Sequence, residues 1–280
     1  MIEAGNRLLI RRFSTKRVNG NHSERILDDV ANEEPLEMRV SYWFKDVQMT
    51  QSLAVTMRTP GHDRELAAGF LLSEGVIRDR EDLSELRSLG AHSLNELVAE
   101  LSREVDFEGW KLTRSSIVNS SCGICGKRTR EAISSYIPRP INGTLRVDRS
   151  LIARLPELLR ERQEGFAKTG GLHAAALVNA AGEIEAVFED IGRHNALDKL
   201  IGDCVLNNRI PLQNRLLFLS SRSSFELVQK AIMAGASILA TVGGPSSLAI
   251  ETAREHSLTL IGFIRSGRFN IYSGEWRINS

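Results

Sequence analysis

The run RLLFLSSRSSFELVQKAIMAGASILATVGGPSS, residues 215–247, sets two short apolar segments, each followed by a small-residue turn, around one amphipathic stretch. The segment 215–219 reads as a strand and 220–224 as a turn. Ser223 followed by Glu226 fits a capping box, and Phe225, Val228, Ala231 or Ile232, Gly235 and Leu239 fall on one helical face. A second strand over about 238–242 ends at GGPSS. Pro245 suits the start of the next helix, 246–256, where its missing N–H is not needed. LTLIGFI (258–264) is a third apolar strand, followed by the turn Arg265-Ser266-Gly267-Arg268 and a further strand, FNIYS (269–273). Strand, helix, strand, helix, strand with short links implies right-handed crossovers and a parallel or mixed sheet covered by helices. The expected fold class is α/β, mixed, and α+β overall. The loops 220–224, 243–247 and 265–268 all leave the carboxyl ends of strands, where open α/β sheets bind ligands. They carry Arg222, Gly244, Ser246, Arg265 and Arg268 with two helix N-termini behind them, an edge that favours phosphate oxygens.

Upstream, TGGLH (169–173) leads into AAALV, a turn at 179–182, EIEAVFED and IGRHN (191–195). Two strands and the first turn of a helix would present His173, Glu189, Asp190, Arg193 and His194. The histidines are candidates for the same cofactor-binding edge, against the plainer reading as satisfied interior or cap residues. Glu189 and Asp190 either help with protons or anchor the neighbouring helix. Cys204 shares a helical face with Leu197, Leu200, Ile201 and Val205 and reads as core.

The first half is less regular. Residues 1–25 are polar and basic and read as a flexible arm; 36–57 reads as a hairpin around KDV, and 63–74 as a helix. Gly69 inside that helix costs about 1 kcal/mol relative to Ala, which implies close packing. Residues 94–107 alternate as a strand pair, and a helix begins near Thr129 and ends before Pro138. The expected division is an arm at 1–25, a smaller strand-rich α+β domain at 26–120, a cysteine loop with linker helix at 121–140, and an α/β domain with the cofactor site at 141–280.

Composition narrows the function. Lys and Arg number 36 against 35 Asp and Glu, a net charge of +1, so long nucleic-acid contacts are not expected. The longest nearly uncharged stretch, 231–249, is broken by glycines and small polar residues and is no membrane span. The start, MIEAGNRLLIRRF, makes a poor signal peptide, so the expected location is cytoplasmic. Three cysteines make no disulfide framework. No G-x-G-x-x-G follows a strand, which argues against a Rossmann site.

Two of those cysteines stand in SSCGICGK, 120–127. Structural zinc wants four ligands; a mixed set of Cys122, Cys125, His173 and His194 has the right atoms. A deaminase-type zinc would need a glutamate two residues after the histidine, where His173 is followed by Ala174 and Ala175. A thioredoxin-like pair would follow a buried strand, and TRSSIVNSS is too polar for one. A glycine-flanked thiol loop fits better, with Lys127 and Arg128 helping to stabilise a thiolate that could receive sulfur as a persulfide.

The ordered set NEEPLEMRV, AAGFLLSEGVI, SSCGICG, TGGLHAAAL, EDIGRHNALDKLIG, SSRSSFELVQKA and LIGFIRSGRFNIY resembles the FdhD family, sulfur carriers required for formate dehydrogenase activity. The resemblance implies that a cysteine desulfurase passes sulfur to Cys122 as a persulfide, with Cys125 the second cysteine of the loop. It further implies delivery of that sulfur to the molybdenum bis(molybdopterin guanine dinucleotide) cofactor, held as a bound substrate, before insertion into formate dehydrogenase. The family's cofactor-binding turn matches Phe263, Ile264, Arg265, Ser266, Gly267 and Arg268, and its larger domain resembles the cytidine deaminase fold. Such a protein is sulfurtransferase-like, with no permanently bound metal, no nucleic acid and no membrane among its partners. The two-armed cofactor favours a homodimer. The alternative is a non-covalent cofactor-binding chaperone whose cysteines hold metal or shape the loop.

Overall fold

The computed structural model describes residues 9–88, 95–107, 141 and 143–279. The chain opens with β1 (Ile10–Asn19) and β2 (His22–Ala31), a separate antiparallel ribbon. The described part of the expected arm is therefore ordered by backbone pairing across the two-residue turn Gly20-Asn21. Its polar composition hid this, because most of its side chains remain exposed. Next come β3 (Glu34–Phe44) and β4 (Val47–Arg58), the expected hairpin, closed by Lys45 and Asp46 with φ of 47° and 62°, the left-handed pair of a tight hairpin turn. Helix α1 (Asp63–Ser73) follows, then β5 (Leu83–Ser88) and β6 (Glu96–Leu101). In place of a strand pair at 94–107 there is one strand, β6, which lies between β3 and the unforeseen β5 in a sheet ordered β4-β3-β6-β5. The cysteine loop and the helix expected near 129–137 lie outside the described residues.

The remaining elements are β7 (Val147–Asp148), α2 (Arg149–Arg160), α3 (Glu164–Thr169), β8 (His173–Val178), β9 (Ile184–Asp190), α4 (Arg193–Leu206), β10 (Leu216–Leu219), α5 (Phe225–Met233), β11 (Ile238–Thr241), α6 (Ser247–Glu255), β12 (Thr259–Arg265), β13 (Arg268–Ser273) and β14 (Ile278–Asn279). Six of the strands form a mixed sheet in the order β13-β12-β11-β10-β8-β9, with β10, β11 and β12 parallel to one another. The expected strand and helix alternation is present. Two helix starts differ by a residue: Ser224, not Ser223, caps α5, and Ser246 caps α6, which leaves Pro245 just outside. Ser223 is buried instead, with its hydroxyl 3.4 Å from that of Thr241.

Alternation along the central strands explains the layers. Leu217 and Leu219 face one core with Leu197, Leu200, Leu227 and Ala249 of the helices. Leu216 and Phe218 face the other, with Ile152, Leu155 and Leu159 of α2. The first core also includes Leu36, Met38 and Val40 of β3, so one apolar interior joins the two large sheets.

The join is made by α1 against α4. A Cβ at Gly69 would overlap the carbonyl oxygen of Asp198, and one at Gly202 the carbonyl oxygen of Glu65. Residue 69 faces 198 and 65 faces 202, so the helices run antiparallel with their backbones in contact. Buried ions surround the crossing. Lys199 Nζ lies 2.7 Å from Asp190, both fully buried, and donates to the Thr59 carbonyl; Lys230 Nζ lies 2.8 Å from Asp198, which also accepts from Ser73 Oγ.

An exposed helical Gly to Ala change stabilises by about 1 kcal/mol. At this crossing the sign reverses: Gly69→Ala is expected to destabilise by about 1–3 kcal/mol through overpacking, read as a fall of roughly 3–8 °C in Tm. An unchanged or raised Tm would overturn the close-contact assignment.

Candidate functional site

The loops after β10 and β11 and the bulged end of β12 are tied to one another by backbone. Gly243 N–H donates to Ser221, Ser246 N–H to Ser223, and Phe263 N–H to Gly243. Beneath them Thr241 Oγ1 donates toward the carbonyls of Gly243 and Ile261 at 2.9 and 3.1 Å, fixing the floor. Side chains close the gaps: a Cβ at Gly243 would run into Arg222, and one at Gly244 into the Phe263 ring. Phe263 takes φ 55° where the register of β12 shifts against β13, a conformation costing about 1–3 kcal/mol for a residue with a Cβ. The bulge turns this ring outward over Gly244 while Ile264 stays fully buried.

Ser266 and Gly267, both at positive φ, make the tight turn that sets Arg265 directly opposite Arg268. Like charges facing each other across a ladder repel. Both are exposed, as is Arg222, and among the described residues none of the three has an acidic partner. Elsewhere in the molecule several arginines are paired: Arg58 with Asp63, Arg215 with Glu185, Arg209 with Asp203. The expected residues Arg222, Gly244, Phe263, Ile264, Arg265, Ser266, Gly267 and Arg268 thus come together. Ser246 belongs to the same group, although its Oγ also accepts from Ala249 N–H as the cap of α6.

The histidines occupy the neighbouring stretch of the same edge. Because β8 is antiparallel to β10, its start lies beside the end of β10, where Ser220 Oγ accepts from Ala174 N–H at 2.9 Å. His173 is part-buried there. Burial lowers its pKa most, the nearby Arg193 and His194 charges lower it further, and Asp190 opposes them. His194, on the first turn of α4, reaches the start of α5: its Nε2 lies 3.3 Å from Glu226 and 3.4 Å from Ser224 Oγ. Glu226 was not foreseen beyond its capping role; its pKa is lowered first by the hydrogen bond with His194.

Glu189 and Asp190 resolve as anchors. Glu189 accepts from Gly165 and Phe166 N–H at 2.7 and 2.8 Å, holding the start of α3, while burial still raises its pKa overall. Asp190 accepts from Thr59, Gly192 and Asn195 besides pairing with Lys199. Cys204 is core as expected, its thiol pushed up to about 12 by burial. Cys122 and Cys125 lie outside the described residues, and among those described no three His, Cys, Asp or Glu side chains could together hold a metal ion. Among the same residues no helix is long and apolar enough to cross a membrane. Sequence reasoning missed Asn195, Asp198, Lys199 and Arg58; for Asp198 and Lys199 the signal was present, as charged residues standing among apolar ones in a helix, which require buried partners.

The curated "Sulfur carrier protein FdhD" of Streptomyces coelicolor is 44% identical over 259 residues, spanning 90% of this chain and 89% of the relative. That of Sulfurisphaera tokodaii is 43% identical over 92% and 95% of the two chains, and that of Saccharolobus solfataricus 40% identical over 96% and 98%. The fold matches the crystal structure of what is described as a candidate formate dehydrogenase accessory protein from Desulfotalea psychrophila, with a TM-score of 0.75 at 20% identity, covering 97% of this chain and all of that one. Residues 31–279 match the FdhD/NarQ family, and with these full-length relatives the chain belongs to it.

Proposed function

We propose that this protein is a sulfur carrier in the maturation of formate dehydrogenase. A cysteine desulfurase loads Cys122 as a persulfide, and the carrier hands the sulfur on to a molybdenum bis(molybdopterin guanine dinucleotide) substrate held at the carboxyl edge of the six-stranded sheet. The observation that carries the reading is the set of exposed cations, Arg222, Arg265 and Arg268, which have no acidic partner among the described residues and cluster around backbone turns at the sheet edge. Opposed arginines are costly until an anion lies between them, and charge-assisted bonds to phosphate recover that cost. Gly243 and Gly244 let the Arg222 side chain and the Phe263 ring lie directly against the turn, and that ring offers an apolar face for a guanine. The relatives' shared name supports the sulfur half of the reading.

In this reading Cys125 resolves or shares the sulfur, since thiolate attack on a persulfide is open to both cysteines. The 143–279 unit takes the cytidine deaminase architecture, supported by its mixed sheet with helices on both faces. A cytoplasmic homodimer would offer one anion edge to each arm of the cofactor.

Cys122→Ala is expected to fold with an unchanged melting temperature and to gain no mass with a desulfurase and cysteine, where the natural chain gains about 32 Da. Equal gain by both would remove Cys122 from the relay. Arg268→Ala is expected to bind guanosine diphosphate roughly tenfold or more weakly in titration at fixed salt, since a charge-assisted bond contributes about 1.5–3 kcal/mol. Unchanged affinity would put the phosphates elsewhere. The same variant should still take up sulfur, because loading and grip are separate tasks.

A further inference from the structure

A second concavity lies at the amino end of β12, whereas the arginine turn closes its carboxyl end. Its volume is about 480 Å³, within the range of about 300–1,000 Å³ that small-molecule sites occupy. Arg254 of α6, Ser257 and Leu258 after it, Ile271 of β13, and Glu275 and Trp276 of the last turn form its wall. Trp276 is 51% exposed there. The turn is set by Gly274 at φ 67°, where a Cβ would overlap Thr259 Oγ1, which donates to the Gly274 carbonyl at 2.8 Å. It carries Arg277 inside. That side chain is fully buried and donates to the Ser257 carbonyl at 2.8 Å, to Thr259 Oγ1 at 3.1 Å and toward the Gly143 carbonyl at 3.5 Å, while its Nε has no partner. Burial draws the Arg277 pKa down, and no neighbouring acid draws it back. Its guanidinium carbon lies 3.8 Å from the centre of the Trp276 ring, so a buried, uncompensated positive charge stands directly behind a wall of the cavity.

Arg254 is a second cation, exposed on the wall itself. Its Nε donates to the Tyr272 carbonyl at 3.1 Å, which ties α6 to β13 and leaves the terminal nitrogens of the fork to a ligand. Among the described residues Glu275 is the one acid of the wall. Two cations against one acid favour an anion of single charge, because a multiply charged phosphate would be repelled by the Glu275 carboxylate. We propose that this cavity binds a planar aromatic monocarboxylate, its ring against Trp276 and its carboxylate on the Arg254 fork, with Arg277 holding positive charge behind the indole. A carboxylate can accept from two nitrogens of one guanidinium at once, and an indole face takes an offset-stacked ring. Arg277 favours the anion without touching it, since a buried charge is little screened by salt. The site is independent of the arginine turn, from which the length of β12 separates it.

The full chain is titrated with 2-naphthoate and with 2-naphthylmethylammonium, which carries the same ring and the opposite charge. The readout is the indole N–H signal of Trp276 in a nitrogen-15 spectrum, identified by its absence from Trp276→Phe. Saturable movement of that signal with 2-naphthoate is expected, and the ammonium compound is expected to bind at least about tenfold more weakly, the size of one charge-assisted contact. Arg254→Gln is expected to weaken 2-naphthoate roughly tenfold, and Arg268→Ala to leave its affinity unchanged. A Trp276 signal that does not move, equal affinity for the two probes, or full affinity in Arg254→Gln would overturn the proposal. Loss of 2-naphthoate binding in Arg268→Ala would assign the probe to the arginine turn and overturn it as well. The comparison of the two probes needs only the natural chain, so it decides the matter even where a variant does not fold.

Discussion

The crossing of α1 and α4 is the constraint on which the rest of the molecule depends. Two helices meet with peptide backbone against peptide backbone, possible only because Gly69 and Gly202 carry no Cβ. Van der Waals contact between backbones leaves no slack for rotation or sliding, so α4 has one position relative to the first sheet. Burial of its whole middle, from Asn195 to Gly202, follows from being wedged between α1 and the second sheet.

That burial sets the electrostatic problem solved around it. Asp198 and Lys199 are adjacent in a helix with no solvent-facing side to receive them, and each pairs with an opposite charge from a different element, Lys230 of α5 and Asp190 of β9. Losing one partner of such a pair costs about 3–5 kcal/mol, because an uncompensated charge remains inside. The pairs therefore act as registration pins more than as net stabilisers. They hold α4 to α5 and to the end of β9, and so deliver Arg193 and His194 to the sheet edge and bring His194 onto Glu226.

Along the edge itself the balance is reversed. The buried Lys199 and Lys230 are matched to acids, and several arginines are matched as well, whereas Arg222, Arg265 and Arg268 stand without acids among the described residues. A chain of net charge +1 has no global excess to explain this. The cations are concentrated by the strand ends, and the β12 bulge and its tight turn bring two of them face to face. The acid of the edge, Glu226, is engaged with His194 and Ser224 rather than with these arginines.

The sequence by itself determined the alternation of strands and helices from 215 to 273, the 36–57 hairpin, the helix at 63–74 with close packing at Gly69, the buried role of Cys204 and the loops that share the ligand edge. Each of these is local: period, turn chemistry and strand direction are written within a few residues. It also carried the family motifs in order. Only the tertiary structure decided that Glu189 and Asp190 anchor helices, that Ser224 rather than Ser223 begins α5, that β6 lies between β3 and β5, and that the polar first residues pair as a ribbon. The anchors and the place of β6 depend on partners more than 20 residues away, and the identity of a partner at that distance is set by how the chain packs, which no local pattern encodes.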